Sequence, residues 1–197
     1  MEDLVSVIMP VFNSSKTLAQ SIDSILVQSY SNFEILIVDD FSVDDSWRII
    51  SDYMKMDSRV IGIKLSKNVG AAQSRNIGID KATGRFIAFL DADDYWLPNK
   101  LERQIEFAIK KKAAISHTSY KWIDSQGKEL SKIVVAKPRK MPCSTTPGKS
   151  FNTVFNAITS WLLSKVISNT RLPCELTAKP SPAALGLNWP FAPIVCK

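Results

Sequence analysis

This chain has little that would suit a membrane span, a metal-binding cysteine set or a histidine-centred site. No segment of its 197 residues approaches the roughly 18 uninterrupted apolar residues that a bilayer crossing requires. The start, Met1-Glu2-Asp3, is acidic and leads straight into a strand-like segment, so no secretory leader is expected. Cysteine is scarce. Cys143, Cys174 and Cys196 are odd in number, lie late and lack metal-ligand spacing, which makes a reduced, cytoplasmic protein the expectation. The one histidine, His117, lies on an alternating segment with Ser116 and Thr118, has no evident partner, and reads as structural. Acid is also nearly missing late in the chain, where residues 130–197 hold only Glu175.

Charge is divided unevenly. Residues 1–124 carry 15 Lys+Arg against 17 Asp+Glu, and residues 125–197 carry 10 against 2, so balances of −2 and +8 give the net +6. The basic character therefore belongs to the late segment. Solvation of scattered lysines explains it most simply; contact with anionic lipid or with a phosphate-bearing acceptor is left open. Seven of the ten prolines also lie beyond residue 141, and at that density they interrupt helices and cannot serve central strands. Residues 1–140 read as one domain. Residues 141–197 read as a divergent, Pro-rich basic tail, open to poor order, in which only Phe151 to Ile167 looks capable of forming a helix.

Up to about residue 135, strands alternate with helices. Leu4 to Val11, Glu34 to Val38, Val60 to Leu65 and Phe86 to Leu90 are apolar runs of strand length. Ser15 to Gln28 sets Leu18, Ile22, Ile25 and Leu26 on one helical face, with Ser14 or Ser15 as N-cap. Ser42-Val43-Asp44-Asp45 offers capping before a helix bearing Trp47, Ile50 and Met54 on one face. Val69 to Ala82 forms a third helix. A fourth runs from Pro98, at a first helical position, to Lys112, and buries Leu101, Ile105, Ala108 and Ile109. Ala114 to Ile123 and Glu129 to Val135 read as strands joined by a turn at Asp124-Ser125-Gln126-Gly127. The alternation predicts a largely parallel α/β sheet covered on both faces. Ligands of such sheets bind beyond the carboxyl ends of the strands.

Both acidic clusters fall on that rim. Asp39-Asp40 closes the second strand, and Asp91-Ala92-Asp93-Asp94 closes the fourth. Side chains alternate along an extended chain, so Asp91 and Asp93 tend to point the same way and repel each other unless a positive charge intervenes. A hard divalent cation that takes oxygen ligands, Mg²⁺ or Mn²⁺, would remove that cost.

Four ordered segments carry a resemblance: Ser6 to Asn13, Val38 to Asp44, Asn68 to Gly78, and Leu90 to Asp94. They resemble the successive motifs of family 2 glycosyltransferases, inverting enzymes of the GT-A fold that use nucleotide-diphosphate sugars, over roughly residues 4–135. The resemblance implies a Rossmann-like, mostly parallel sheet with helices on both faces, incomplete on its C-terminal side. It also implies that Pro10, Val11 and Asn13 flank the nucleoside, that Asp40 accepts from the base or ribose, and that Asp39 shapes that pocket. Arg75 would lie on the nucleotide side and offer a positive charge, Asp91 and Ala92 would also bind the nucleotide, and Asp91 and Asp93 would hold the metal, Asp93 more directly. The implied partners are a nucleotide-diphosphate sugar donor and a carbohydrate or lipid-linked acceptor, with peripheral contact at the inner membrane open and no nucleic acid. Surface polysaccharide or glycolipid synthesis is the implied setting.

The late segment departs from the family. An inverting transferase needs a base to take the acceptor's proton, and the family places an acid for this in the second half of its domain. Here Glu175 stands alone between Cys174 and Leu176, the family's Gln-x-x-Arg-Trp element is absent, and no catalytic residue is assigned. A truncated, non-catalytic nucleotide-sugar-binding protein is the alternative. A strand ending in Asp-x-Asp also opens haloacid-dehalogenase-type phosphatases, but there on the first strand and followed by Thr or Val. Trp96 reads either as packing against the ligand or as core.

Overall fold

The computed structural model of the chain describes residues 3–113, 115–124, 129–134 and 194–196. All of these belong to one compact unit, residues 1–137 with 186–197; residues 138–185, including Glu175 and the Phe151–Ile167 segment, lie outside the described residues.

Chain order is β1 (Val5–Val11), α1 (Leu18–Leu26), β2 (Phe33–Asp39), α2 (Ser46–Met56), β3 (Val60–Lys64), α3 (Ala71–Lys81), β4 (Phe86–Phe89), α4 (Lys100–Lys111), β5 (Ile115–Ser116), β6 (Tyr120–Ile123), β7 (Glu129–Val134) and β8 (Ile194–Cys196). The main sheet runs β3-β2-β1-β4-β8-β5. The first four strands are parallel, with Val7 opposite both Ile35 and Ala88, and β8 pairs antiparallel with β4 and β5. Every residue of β1 and β4 is buried, which is why these segments read as unbroken apolar runs rather than as alternation. Val5, Val7, Met9 and Val11 pack with Leu18, Ile22 and Ile25 of α1, Ile50 of α2 and Leu101 and Ile105 of α4. On the opposite face α3 lies so close to β1 that a Cβ on Gly78 would meet Ile8 at 2.5 Å. Each fully buried Leu or Ile contributes about 1.5–3 kcal/mol, so these two layers hold the sheet between them.

Several local expectations change. α1 begins at Leu18, not Ser15, because Thr17 and Leu18 both donate to the Ser14 carbonyl in a preceding turn, and Thr17 rather than Ser14 or Ser15 is the N-cap. Pro98 precedes α4 by two residues instead of opening it; the helix starts after a Leu97–Lys100 turn. Ile109 is 53% exposed, while Gln104 is buried and its amide donates to Ser116. Met54 is 40% exposed while Ile50 of the same helix is fully buried. The segment 114–123 is not one strand. β5 joins the main sheet, and β6 forms a separate two-stranded sheet with β7. The residues between β6 and β7 at 125–128, and Val135, lie outside the described residues. β8 falls in the stretch assigned to the tail; three residues between prolines and the chain end give too short a pattern to read.

The amino end of the sheet is sealed by a polar cluster. Ser6 Oγ donates to Glu34 at 2.6 Å, Thr83 donates to Glu34 from both its amide and its hydroxyl, and the Gly84 amide donates to Ser6 Oγ. A Cβ on Gly84 would meet the Leu4 carbonyl oxygen, the Ser6 amide and Ser6 Oγ, each at 2.7 Å. Two of these are backbone atoms of a central strand and cannot move aside. Gly84→Ala is expected to lower unfolding free energy by about 2–3 kcal/mol, read as a drop in urea midpoint at unchanged m-value. An unchanged midpoint would show that the helix-to-strand connection relaxes freely.

Candidate functional site

At the carboxyl end of the parallel strands the chain turns outward in three loops, after β1, β2 and β4. The first two are laced together. The Asn13 amide donates to Ser42 Oγ and the Val43 amide donates back to Asn13 Oδ1; the Ser14 amide donates to Ser46 Oγ and the Ser15 amide to Asp44 Oδ2. Asn13 and Phe41 both adopt positive φ, at 50° and 65°. Asparagine tolerates that region well, whereas for phenylalanine it is a strained placement held by its surroundings.

Between these loops and β4 lies a cleft of about 650 Å³. Pro10 forms its floor, Phe12 to Thr17 and Asp44 one wall, Ala71 and Arg75 of α3 another, and Asp91, Ala92 and Asp93 the third. Of the residues expected at a site, Pro10, Asn13, Arg75, Asp91, Ala92 and Asp93 thus come together. Val11, Asp39 and Asp40 do not line the cleft; all three are buried behind it.

The two acids after β2 are engaged by the backbone. Asp40 Oδ1 accepts from the Val69 amide at 2.7 Å and Oδ2 from the Gly70 amide at 2.8 Å, which puts a negative charge at the amino end of α3. Both oxygens of Asp40 thus hold the loop leading into that helix. Asp39 is fully buried. Its Oδ1 accepts from the Ser42 amide at 3.3 Å, and its Oδ2 has no hydrogen-bond partner among the described residues.

Arg75, expected on the nucleotide side, pairs with an acid of the cleft. It is buried, and Nη2 stands 2.5 Å from Asp91 Oδ1, the two side chains being 6% and 18% exposed. Burial, with Asp93 adding to it, pushes the Asp91 carboxyl above the usual carboxylate range despite the Arg75 charge. Asp94 is pushed up to about 7 by burial and by the charges of Asp91 and Asp93. Asp93 itself is exposed. Carboxylates crowded at a strand end, with ionisation opposed at Asp91 and Asp94, suit a divalent cation. Two carboxylates on one side, with the remaining coordination left to phosphate and water, is how Mg²⁺ is commonly held. Among the described residues no group of three His, Cys, Asp or Glu converges as a closed metal cage, so the fit is to a site shared with a ligand.

Trp96 is buried in the core cluster, with Lys100 Nζ 3.6 Å above its ring, which decides for packing over ligand contact. His117 is exposed and does not line the cleft. Sequence reasoning missed Phe12, Ser14, Ser15, Lys16, Thr17 and Ala71 as cleft residues, and read Asp44, which also lines the cleft, only as part of a helix cap. Their signal was position alone, since they flank Asn13 and open α3.

A mostly parallel α/β sheet with an acid-lined cleft on its carboxyl rim defines a class of ligand-binding α/β proteins. The chain belongs to Glycosyl transferase family 2, which matches residues 6–166 and so extends past the expected limit near 135. It is 41% identical over 133 residues to TuaG of Bacillus subtilis, a glycosyltransferase assigned to teichuronic acid biosynthesis, covering 68% of this chain and 53% of TuaG. It is 44% identical over 118 residues to WfaP of Escherichia coli, a UDP-Glc:α-D-GlcNAc-diphosphoundecaprenol β-1,3-glucosyltransferase, covering 60% of this chain and 46% of WfaP. The chain thus spans about half the length of these relatives. Among solved structures, residues 1–349 of Staphylococcus aureus TarS in complex with UDP superpose at TM-score 0.53 and 29% identity, over 56% of this chain and 33% of that one. The fold is of the GT-A kind. No helix among the described residues is long and apolar enough to cross a membrane.

The lacing of the loops gives a pH signature. Burial opposes ionisation of Asp44, but hydrogen bonds from Ser46 and Ser15 outweigh it and hold its carboxyl down to about 2 from an ordinary 3.8. A depressed folded value means stability that is present above the unfolded value and lost as pH falls from about 4 through 2. Discounted for solvent screening, the loss is about 1 kcal/mol. Asp44→Asn should remove that part of the acid slope in urea titrations at pH 2 to 5; an unaltered slope would show that the Asp44 contacts contribute nothing.

Proposed function

We propose that this chain is the donor-binding part of an inverting glycosyltransferase, in which a nucleotide-diphosphate sugar occupies the cleft on the carboxyl rim. The observation that carries this reading is the convergence of Asp91 and Asp93 with Arg75, Pro10 and Asn13 around one cleft. The amino end of α3, with Ala71 on the cleft wall and no acid in its first turn, favours a diphosphate there. Lys16, exposed on the opposite wall, adds positive charge. Asp93 and Asp91 are the residues that would hold Mg²⁺ or Mn²⁺, with Asp93 the more accessible. When bound, the cation supplies charge neutralisation for the departing nucleoside diphosphate. Arg75 holds the Asp91 carboxylate in place, and the laced loops around Asn13 border the nucleoside. Asp39 and Asp40 act from behind by fixing the loops at Ser42 and at Val69-Gly70.

In this reading the acceptor hydroxyl attacks the sugar C1 from the face opposite the leaving diphosphate, which inverts that centre. The names of TuaG and WfaP favour a bacterial envelope polysaccharide or glycolipid as product, and WfaP a lipid-linked acceptor. That acceptor would place the protein at the cytoplasmic face of the inner membrane, with the basic residues of 125–197 toward anionic lipid. The proposed donor-binding unit is residues 1–137 together with 186–197, whose β8 joins the main sheet. A second reading, binding without transfer, is favoured by one observation. Asp44 already holds two backbone amides and Asp91 the Arg75 guanidinium, and Asp91 and Asp93 are assigned to the cation, so no cleft acid is assigned as a base.

Calorimetric titration with UDP and GDP, with and without Mn²⁺, followed by assay of sugar transfer, separates the two. The expected result is binding that Mn²⁺ tightens and that Asp93→Asn weakens by about tenfold or more, comparable to losing a metal contact. Turnover that vanishes in Asp93→Asn supports the transferase; binding with no turnover of any donor supports the second reading. Binding indifferent to both Mn²⁺ and Asp93 would sink the assignment of the cleft.

A further inference from the structure

The apolar side chains of α1 face the core, but a second set on the same helix is polar and also points inward. Thr17, Ser21, Ser24 and Gln28 recur at intervals of four, three and four, which aligns them in one stripe along the helix. Ser21, Ser24 and Gln28 are buried. Burying hydroxyls and an amide costs free energy unless each finds a partner. All four reach one segment, the acidic loop and the turn that follows it, while Ser24 Oγ also donates to the Ser21 carbonyl and Gln28 Nε2 to the Ser24 carbonyl.

The contacts run in register. Thr17 Oγ1 and Ser21 Oγ both donate to the Ala92 carbonyl, at 2.8 and 2.9 Å. Ser24 Oγ accepts from the Trp96 amide at 3.1 Å. Gln28 Nε2 donates to the Leu97 carbonyl at 2.8 Å while its Oε1 accepts from the Leu101 amide at 2.9 Å. The Ser29 amide then donates to the Pro98 carbonyl at 2.8 Å. From Ala92 to Leu101 the chain has left the sheet and has not yet entered the body of α4, so its polar backbone groups lack ladder partners. The stripe on α1 supplies them.

We propose that this stripe is a positioning rail for the acidic loop. By fixing the Ala92 carbonyl from two hydroxyls, it sets the spacing and direction of the carboxylates on either side, Asp91 and Asp93. Thr17, Ser21, Ser24 and Gln28 touch no ligand in this role, except that Thr17 also borders the cleft. The inference rests on the reading of Asp91 and Asp93 as the cation and diphosphate site. It adds that cation affinity is controlled from a helix whose residues would otherwise be taken for core filling.

The test uses the full chain and the variants Ser21→Ala, Thr17→Val, their combination, and Thr17→Ser as the conservative control. Two readouts are needed: the tightening of UDP and GDP binding by Mn²⁺, and amide hydrogen exchange of the metal-free protein. The double variant should lose about tenfold or more of the Mn²⁺-dependent tightening, as when a group supporting a metal ligand is removed. Nucleotide affinity of Ser21→Ala in EDTA should stay within about twofold, Thr17→Ser should keep the parent's Mn²⁺-dependent tightening, and amides 93–96 should exchange faster without metal. If the double variant is too unstable to measure, Thr17→Val alone, at a half-buried position, should show the same direction at about threefold. Unchanged Mn²⁺ dependence in folded variants would overturn the rail while leaving the cleft assignment intact. Absence of Mn²⁺-dependent nucleotide binding in the parent chain would overturn both.

Discussion

Parallel strands deliver their carboxyl ends to one rim, and in this chain that rim collects acid: Asp39 and Asp40 after β2, Asp91, Asp93 and Asp94 after β4. Removing carboxylates from water is expensive unless each receives a counter-charge or donors. The Arg75–Asp91 ion pair meets the sharpest part of that cost. It spans from α3 to the end of β4, nearly out of contact with solvent. Deleting one partner of such a pair strands the other, a loss of about 3–5 kcal/mol. The placement of α3 therefore depends on electrostatics as well as on the close approach of Gly78 to Ile8. Asp40 completes the arrangement by accepting both amides that lead into the same helix.

The two ends of the sheet are built on opposite plans. At the amino end Ser6, Glu34, Thr83 and Gly84 satisfy one another, and hydrogen bonds to the Glu34 carboxylate outweigh its burial and draw it below the ordinary range. Nothing there waits for a partner. At the carboxyl end burial and mutual repulsion push Asp91 and Asp94 upward even with Arg75 in place. A residual electrostatic deficit confined to a cleft is what a cation-bearing anionic ligand would relieve, and it distinguishes a binding rim from a structural one.

The parallel core was readable because its strands are buried on both faces, so runs such as Val5–Val11 and Phe86–Phe89 show no polar interruption. The cleft was readable as an address, since strand ends and acids coincide. What each acid does was less visible. Asp39 and Asp40 are neighbours of the same type, yet one caps a loop with both oxygens and the other keeps one oxygen unmatched; the difference lies in whether Val69 and Gly70 come within reach. Gln104 is buried on α4 because its amide finds Ser116 across the helix–strand gap, a tertiary contact that a hydrophobic periodicity does not register. The 114–123 segment is interrupted by four consecutive polar residues, Ser116 to Ser119, but that pattern carries no mark of which sheet each half joins.

The polar stripe of α1 shows why such information escapes a periodicity reading. A helix facing a sheet needs apolar side chains, but a helix facing a loop must also satisfy backbone groups that no ladder serves. α1 does both at once, with Leu18, Ile22 and Ile25 toward the strands and Thr17, Ser21, Ser24 and Gln28 toward residues 92–101. Hydroxyls at helical spacing look like ordinary surface in sequence, and only their burial shows otherwise. The loop that bears the site's acids thus owes its shape to a helix nearly seventy residues earlier in the chain, joined to it by side-chain hydrogen bonds at sequence separations of 69 to 75. Apolar packing could have filled the same volume, but it would have left the Ala92 carbonyl buried without a donor and the carboxylates beside it without a fixed direction.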